Sequence, residues 1–515
     1  MLPMHRLPVD ICVYNTEDDG QGTAPKSYVR LLQARISLLE KILTQWRPQP
    51  RLWLLEAQLA AFDQLCDAFE GTLSLDESQN FDQDGQARYF GPTSGRLDFK
   101  TCNEPGDSLK EYSSPTADLY AQALGDDHGI DRELENHLLE QYFIWEQPWF
   151  GSRFSDRTEV RSDPTDPNTA GRPFIETAEV LLYFELKRPS ITTIQSLAVL
   201  GTVYHAFGQD AAGWLHSGMA NRLALDMGLN LDPSTLVTSG RMATEEAGLR
   251  RQIYWSLYCV DKLAAGYTGR VCCMLDFQGF VGMPTVPAHS QQQDRRRVLY
   301  SVRPELLISL HKGLIRLCQI LEKILLNLYA PEKLSLNEQR KGFFDSCLLW
   351  LKSWFYGLPI ELKPVQSGAV NGLPQAYTLC VVYHTAAILL ARPYVRNQAL
   401  AASAPDHLAQ KATGIFLEAA RNIASLGDQY RQVFGSFRKS PITATYANLS
   451  AALALLNPPS QCRSSLNQAD QASINSCIQT LKELSTAWTP PGKFHRNILE
   501  DDQRHNAAAR RGNHF

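Results

Sequence analysis

The feature that most constrains this chain is a succession of helical patterns that begins at Phe174 and continues almost to the C-terminus. Within each stretch apolar residues recur three and four positions apart, which is the period of an amphipathic helix. Proline or glycine stands at the breaks, where each ends a helix. Alternating runs joined by tight hairpin signals are absent, so the sequence predicts an all-α fold. The predicted helices cover residues 175–187, 191–208, 211–228, 244–265, 304–329, 335–356, 374–398, 405–426, 442–456 and 468–487.

The chain is long enough to bury a large core. Of its 515 residues 44% are hydrophobic and 20% are charged, a balance typical of globular proteins. No apolar run reaches the roughly 18 residues of a membrane-spanning helix, and the N-terminus contains no apolar segment of a secretory signal. We therefore expect a soluble intracellular protein without a membrane partner.

The charge and the cysteines exclude two further classes. Lys and Arg number 50 against 54 Asp and Glu, a net charge of -4, whereas a protein that binds nucleic acid over its whole surface is basic. The eleven cysteines include no C-x-x-C pair, which is the spacing of a structural zinc site. We expect reduced thiols in helix cores, and this includes the adjacent Cys272 and Cys273.

A shorter pattern over residues 28–46 predicts a coiled coil. Six apolar residues follow one another at alternating intervals of three and four, as along the seam where two helices supercoil. Pro48 and Pro50 end the pattern. We interpret it as a dimerisation helix; the alternative is an amphipathic helix that packs on its own domain. The seam residues are Val29, Leu32, Ile36, Leu39, Leu43 and Trp46.

The next stretch is acidic. Residues 52–87 contain eight Asp or Glu and no Lys or Arg. Contacts with phosphate need cations, so this stretch should not lie against a DNA backbone. We predict an acidic helical linker over residues 47–87.

Enzyme signatures are missing from the sequence. There is no G-x-S-x-G nucleophile elbow, no phosphate-binding G-x-x-x-x-G-K-[ST] loop and no H-E-x-x-H zinc motif. The sequence thus identifies no catalytic residue and argues for no enzyme, although the absence of motifs does not exclude one.

Several ordered motifs resemble one family. The first is a turn motif over residues 88–95 (RYFGPTSG), and the second is a helix motif over residues 213–230 (GWLHSGMANRLALDMGLN). The third runs through residues 245–262 and ends at Gly269-Arg270. A fourth covers residues 383–394 and continues at Ala419-Ala420 and Ile423. Together they resemble the middle homology regulatory domain of the fungal zinc-cluster transcription factors, over residues 88–490. One departure is Val271, where the family usually has proline.

We interpret the residues of the second motif as structural rather than as ligand contacts. Leu215, Met219 and Leu223 form a predicted apolar stripe on one helix face. Gly218 and Ala220 are small enough to permit close helix approach. In the following helix, Asp261 is expected to pair with Arg222 or Arg250.

The zinc module of this family is largely missing here. Cys12 and the acidic residues after it resemble the last cysteine and linker of the six-cysteine module, but Pro3, Met4 and His5 stand where the fifth cysteine belongs. One thiolate cannot hold two zinc ions. The resemblance therefore implies no cofactor in this chain as written, with zinc expected only if the missing cysteines are supplied upstream.

The predicted organisation follows this order. Residues 1–27 are a flexible remnant of a zinc-cluster linker, 28–46 the dimerisation helix, 47–87 the acidic linker, 88–490 the regulatory domain and 491–515 a flexible tail. The fold class is therefore all-α, a large multi-helix domain preceded by a short coiled-coil helix.

The resemblance implies a nuclear transcription regulator that controls a biosynthetic gene cluster or a nutrient-use pathway. Its partners would be a second copy or a related regulator, and it would reach promoter DNA only through a partner or a longer product. One alternative is a regulator that does not bind DNA and pairs with a full-length partner. Another is a helical small-molecule sensor or an enzyme with a pocket inside the domain.

Overall fold

The computed structural model describes four short strands between residues 71 and 99, and then most of the chain from residue 158 onward. The predicted dimerisation helix 28–46 and the predicted linker remnant 1–27 lie outside the described residues. The described parts beyond the strands are residues 158, 160–285, 304–330, 337–364, 373–395, 407–457, 468–496 and 498–499.

The described part of the chain is predominantly α-helical, which confirms the predicted fold class. Ten of its helices match the predicted ones to within a few residues, except at the end of α9. The helices are α1 (Arg172–Glu185), α2 (Ile191–Ala206), α3 (Asp210–Asp226), α4 (Ser234–Thr238), α5 (Thr244–Thr268), α6 (Pro304–Leu328), α7 (Asn337–Tyr356), α8 (Pro374–Val395), α9 (His407–Phe434), α10 (Thr443–Leu456) and α11 (Gln468–Leu484).

Helix α9 continues two turns beyond its predicted end at residue 426. Gly427 does not end it because α11 lies close by: a Cβ on Gly427 would be 3.2 Å from Thr480 Oγ1 and 3.4 Å from Ser476 Oγ. The last turns bury Tyr430, which is 1% exposed. Packing against α11 therefore outweighs the low helix propensity of glycine.

Four short strands precede the helices, a feature that the sequence pattern missed. β1 (Gly71–Leu73) pairs antiparallel with β4 (Leu97–Phe99), and β2 (Ser78–Phe81) pairs antiparallel with β3 (Ala87–Phe90). The prediction of a helical linker is thus wrong for the residues of β1 and β2. Polar residues and glycine disfavour a helix there, and the Asp84-Gly85 dipeptide between β2 and β3 favours a hairpin.

The strands belong to two different compact units. One unit comprises residues 1–74 and 95–104 and contains the β1–β4 pair; the other comprises residues 75–94 and 105–515 and contains the β2–β3 pair and the eleven described helices α1 to α11.

Helices α1, α2, α3 and α5 build a first hydrophobic core, to which α6 contributes two buried residues. Ile194, Leu197, Met227 and Tyr258 are fully buried in it. Trp255, 5% exposed, donates its indole N–H to the Gly282 carbonyl at 3.0 Å, so the segment after α5 is held on this core.

Helices α6 to α11 build a second, larger core around α8. Its largest fully buried side chains include Trp488, Tyr377, Tyr430 and Phe344. α8 contacts α6, α7, α9 and α10. By length and composition it could cross a membrane, contrary to the expectation from apolar runs, but more than half of its most apolar stretch is buried inside the protein.

Two sequence expectations about burial are corrected. Cys272 is half-buried and Cys273 is exposed, because both lie in the non-helical segment after α5 rather than on a core face; the other described cysteines are buried free thiols, as predicted. The predicted flexible tail from residue 491 begins as helix, residues 489–496, and Ile498 is only 1% exposed in the second core.

Candidate functional site

Lys262, in the C-terminal half of α5, is buried together with one carboxylate of α5 and one of α6. Lys262 Nζ lies 2.8 Å from Asp261 Oδ2 and 3.3 Å from Glu322 Oε2, and it donates a hydrogen bond to the Met274 carbonyl. The lysine side chain has no exposed surface, and its ammonium lies 4.2 Å from the centre of the Tyr258 ring. Burial opposes the charge, but the attraction and hydrogen bond of Asp261, together with the smaller effects of Cys272 and Glu322, outweigh it, so the pKa of Lys262 is raised above its ordinary value.

The two carboxylates of this buried cluster hold the segment after α5 in place. Asp261 accepts hydrogen bonds from the backbone N–H groups of Cys273 at 3.0 Å and Met274 at 3.1 Å. Glu322 of α6 accepts the N–H of Asp276 at 3.2 Å. Each bond uses a charged acceptor and is therefore stronger than a neutral one. The cluster is a structural clamp between α5, α6 and the segment from residue 270 to 278.

The expected pairing of Asp261 with Arg222 or Arg250 is wrong. Arg250 binds Glu246, one turn before it, at 2.9 Å. It lies three helical turns from Asp261, about 16 Å along the axis, so the two side chains cannot meet. On α3 the group that reaches Asp261 is the amide of Asn221, at 3.4 Å.

The close approach of α2 and α3 uses different small residues from those predicted. A Cβ on Gly213 would lie 2.8 Å from the Gly201 carbonyl oxygen, whereas a Cβ on Gly218 would meet nothing within 4 Å. Ala220 is fully buried as expected, but Leu215 is 58% exposed. The buried face of α3 therefore follows the small residues rather than the predicted apolar stripe.

An apolar cavity lies where the two cores meet, bounded by α2, α5, α6, α8 and the start of α10. Its volume is about 100 Å³. Leu263, which contacts both cores, lines it. The Thr202 and Thr385 hydroxyls on its wall donate to carbonyls of their own helices at 2.9 and 2.8 Å. This leaves the wall largely apolar, and its lining residues include one histidine.

That histidine is His205, near the end of α2. Its Nδ1 lies 3.3 Å from Asp210 Oδ1, and its Nε2 is buried without a hydrogen-bond partner among the described residues. Burial lowers the pKa of His205, although Asp210 opposes the shift. The ring is therefore neutral at pH 7. Because Asp210 accepts at Nδ1, that nitrogen carries the proton and Nε2 is left as an acceptor.

A second recess, about 350 Å³ in volume, adjoins the cavity and carries positive charge. Gly266, Tyr267, Leu389 and Tyr446 line both spaces, and the two tyrosine rings meet edge to face at 5.7 Å. These four shared residues place the recess next to the apolar cavity.

Two arginines line this recess. Arg270 follows Gly269, whose φ of 70° lies in the left-handed region that favours glycine. Its guanidinium donates to the Asp210 carbonyl at 2.5 Å and lies 5.3 Å from the centre of the Trp214 ring. Arg392, near the end of α8, is the other. Among the described lining residues none is Asp or Glu, so the recess is suited to an anion.

Sequence reasoning missed these cavity residues as a site. Gly269-Arg270 and Arg392 lie in the sequence motifs, but the motifs do not predict that these residues line the same recess. His205 is a single histidine at the end of an apolar helix, and no sequence pattern marks it as part of a site. The predicted dimerisation residues lie outside the described part. Within that part no three His, Cys, Asp or Glu side chains are arranged to hold a metal ion.

Helices α1 to α7 lie within a stretch that matches a known domain. Residues 133–358 match the fungal specific transcription factor domain, a range that contains α1 to α7, the buried cluster and half of the cavity wall. The chain therefore contains a stretch similar to this domain, in agreement with the resemblance that the motifs suggested.

Particular relatives extend the match toward the C-terminus. The nitrogen assimilation transcription factor nirA of Emericella nidulans is 25% identical over 479 residues, covering 82% of this chain and 50% of nirA. The nitrogen assimilation transcription factor nit-4 of Neurospora crassa is 22% identical over 464 residues, covering 79% of this chain and 40% of nit-4. The chain thus spans about half the length of these relatives or less. No solved structure matches it.

Proposed function

We propose that this protein is a nuclear transcription regulator that controls genes for the use of a nitrogen source, with its helical domain as the regulatory module. One observation supports this most directly: the similarity to two nitrogen assimilation factors runs along about four fifths of the chain, well beyond the regulatory domain match. A nuclear location and the lack of an enzymatic activity belong to the same proposal, since the relatives are named as transcription factors.

The manner of DNA contact is a further part of the proposal. The chain carries a net charge of -4 and a purely acidic stretch at residues 52–87, so its surface as a whole does not favour phosphate. We infer that it reaches promoter DNA through a partner, a second copy or a related regulator, joined along the seam of residues 28–46, or as part of a longer product.

A reporter assay tests the regulatory function. The full chain is fused to a heterologous DNA-binding domain in a fungal host, and a reporter under the matching operator is read on ammonium, nitrate and amino acids as nitrogen sources. We expect reporter output to differ several-fold between nitrogen sources. The control is the DNA-binding domain alone. Output equal to this control on every nitrogen source contradicts the proposed function.

A further inference from the structure

The recess at the ends of α5, α6 and α8 has an excess of positive charge. Arg270 and Arg392 both line it, and none of its described lining residues is Asp or Glu. Neither guanidinium forms an ion pair with a carboxylate in the part of the chain that the structure describes. Asp210 accepts from Arg270 through its backbone carbonyl only, and its carboxylate lies 3.3 Å from Nδ1 of His205 instead.

Cys272 and Tyr267 line the same recess without adding negative charge to it. Burial raises the pKa of the Cys272 thiol to about 12. Burial, together with the nearby charge of Asp210, also raises the pKa of Tyr267 to about 12. Both groups are therefore protonated at pH 7, because each pKa lies far above that value. The charge of the two arginines is thus not offset by these neighbours.

Arg392 is free to contact a ligand. Its guanidinium has no hydrogen-bond partner among the described residues, and none of its nitrogens is fully buried. Arg270 is held in position by one nitrogen, Nη1, which donates to the Asp210 carbonyl. Its other two nitrogens form no hydrogen bond with the described residues and are not fully buried either. Each arginine therefore keeps donors that a molecule in the recess can reach.

The chemistry and the size of the recess define its occupant. A guanidinium recognises a carboxylate or a phosphate by paired, charge-assisted hydrogen bonds. An anion would also offset the repulsion between the two like charges that line the recess. The volume of about 350 Å³ lies near the lower end of the range for small-molecule pockets, about 300–1,000 Å³. The recess therefore suits a small organic anion rather than a segment of a macromolecule.

We propose that this recess binds a small organic anion whose carboxylate or phosphate group lies between Arg270 and Arg392. The two groups share the chemistry that a guanidinium recognises, and the experiment below distinguishes them. Binding of the anion is independent of the regulatory function; only an effect of the anion on transcription rests on the proposed function.

Titration calorimetry with the purified full chain and no DNA measures the binding. The probes are succinate and glycerol phosphate, and their neutral counterparts are succinamide and glycerol. About 0.15 M sodium chloride screens the exposed charges of the protein surface. We expect saturable binding of at least one anion and at least tenfold weaker binding of its neutral counterpart. The anion that binds more tightly identifies the preferred group.

Variants locate the binding in the recess. Arg392→Gln and Arg270→Gln should each weaken binding of the preferred anion at least tenfold, because each removes a cation and its donors. Arg392→Lys keeps the charge without the paired donors and should bind more tightly than Arg392→Gln. The matched control is Arg316→Gln, since Arg316 lines a separate groove between α6 and α7 that also contains lysines; it should bind like the wild type. Helical circular dichroism confirms that each variant is folded.

Three outcomes would overturn the proposal. One is no saturable binding of either anion up to ~10 mM, well above a Kd of 1 mM. The second is equal affinity for an anion and its neutral counterpart. The third is binding that Arg392→Gln and Arg316→Gln weaken alike, as expected for general attraction to surface cations. The reporter assay above is scored separately, so failure of the anion site and failure of the regulatory function are distinguishable.

Discussion

Lys262 is a charged side chain with no exposed surface, and its surroundings explain how the fold tolerates it. Two carboxylates, a backbone carbonyl and a tyrosine ring surround the ammonium. A buried ion pair adds little stability relative to apolar residues of the same shape, but loss of one partner leaves the remaining charge uncompensated. The lysine is therefore sensitive to substitution for a structural reason.

Lys262→Met should lower the free energy of unfolding by about 3–5 kcal/mol, because Asp261 and Glu322 would remain buried without their cation. Urea unfolding followed by helical circular dichroism measures the effect. Lys411→Met is the matched control: its pair with Asp345 is about two-fifths exposed on both sides, and exposed pairs contribute at most about 1 kcal/mol. Equal losses in the two variants would show that the buried cluster is not a clamp.

Burial of His384 predicts acid sensitivity. Burial lowers the pKa of His384 to about 4 in the folded protein, against about 6.5 in the unfolded chain. Above the unfolded value neither state binds the proton. Between about 6.5 and about 4 only the unfolded state binds it, so the free energy of unfolding falls as the pH is lowered through this window.

Replacing His384 should therefore reduce the acid sensitivity. We expect His384→Asn to lose up to about 2 kcal/mol less than the wild type between about pH 7 and about pH 5, measured by urea unfolding at the two pH values. His407→Asn, at an exposed position, is the control and should follow the wild type. An unchanged pH dependence in His384→Asn would contradict this assignment.

At the scale of elements, the contact of α2 with α3 depends on two glycines that face each other. Gly201 and Gly213 have so little room that an added Cβ would lie within 3.0 Å of a neighbouring atom. Gly218, on the same helix α3, faces open space. The helix thus contains one glycine required by packing and one that packing does not require.

Gly213→Ala should destabilise the protein by about 1–3 kcal/mol, because the new methyl group overlaps the Gly201 carbonyl and His205. Gly218→Ala should instead be neutral or stabilise by up to about 1 kcal/mol through its helix propensity. Thermal unfolding of the two variants beside the wild type measures both signs. Stabilisation in both variants would mean that helix propensity, not packing, decides these positions.

The seam of residues 28–46 remains a prediction about an element outside the described part. Leu39→Glu places a charge at a seam position and should weaken self-association, at a cost of several kcal/mol per dimer. Ser37→Glu adds the same charge outside the seam and should leave the dimer intact. Analytical ultracentrifugation compares the three proteins; an unchanged mass for Leu39→Glu would show that the seam is an intramolecular helix.

At the scale of the whole molecule, the charge distribution bears on DNA. Residues 1–27 contain two fixed cations, Arg6 and Lys26, against four acids, a net charge of -2. Specific DNA binders neutralise several phosphates and read bases with a positioned element. The 515 residues of this sequence supply neither in their N-terminal part.

We therefore expect the 515-residue chain alone to bind no sequence-specific DNA and no stoichiometric zinc. Footprinting on promoter DNA, with and without a related full-length regulator, tests the first, and elemental analysis tests the second. Protection should appear only with the partner. Two zinc ions per chain, or a sharp footprint from the isolated chain, would contradict the expectation.

The sequence by itself determined the helices and the resemblance to one family, because apolar periodicity, proline breaks and motifs are local properties. Ten helices followed from these patterns, and α9 exceeded its predicted end because α11 packs on Gly427. Strands β1 and β4 were missed because their pairing joins residues far apart in sequence, such as Leu73 and Leu97. Strands β2 and β3 form a local hairpin, whose signal is the single Asp84-Gly85 dipeptide.

Only the tertiary structure decided which residues meet. Asp261 pairs with its neighbour Lys262 and with Glu322 of another helix rather than with an arginine, and the cavity brings His205, Tyr267 and Leu389 together from three helices. No local pattern encodes such contacts, because they depend on helix directions and on which faces turn inward. Helix formation depends on the spacing of residues along the chain, whereas a site forms only when segments distant in sequence pack together.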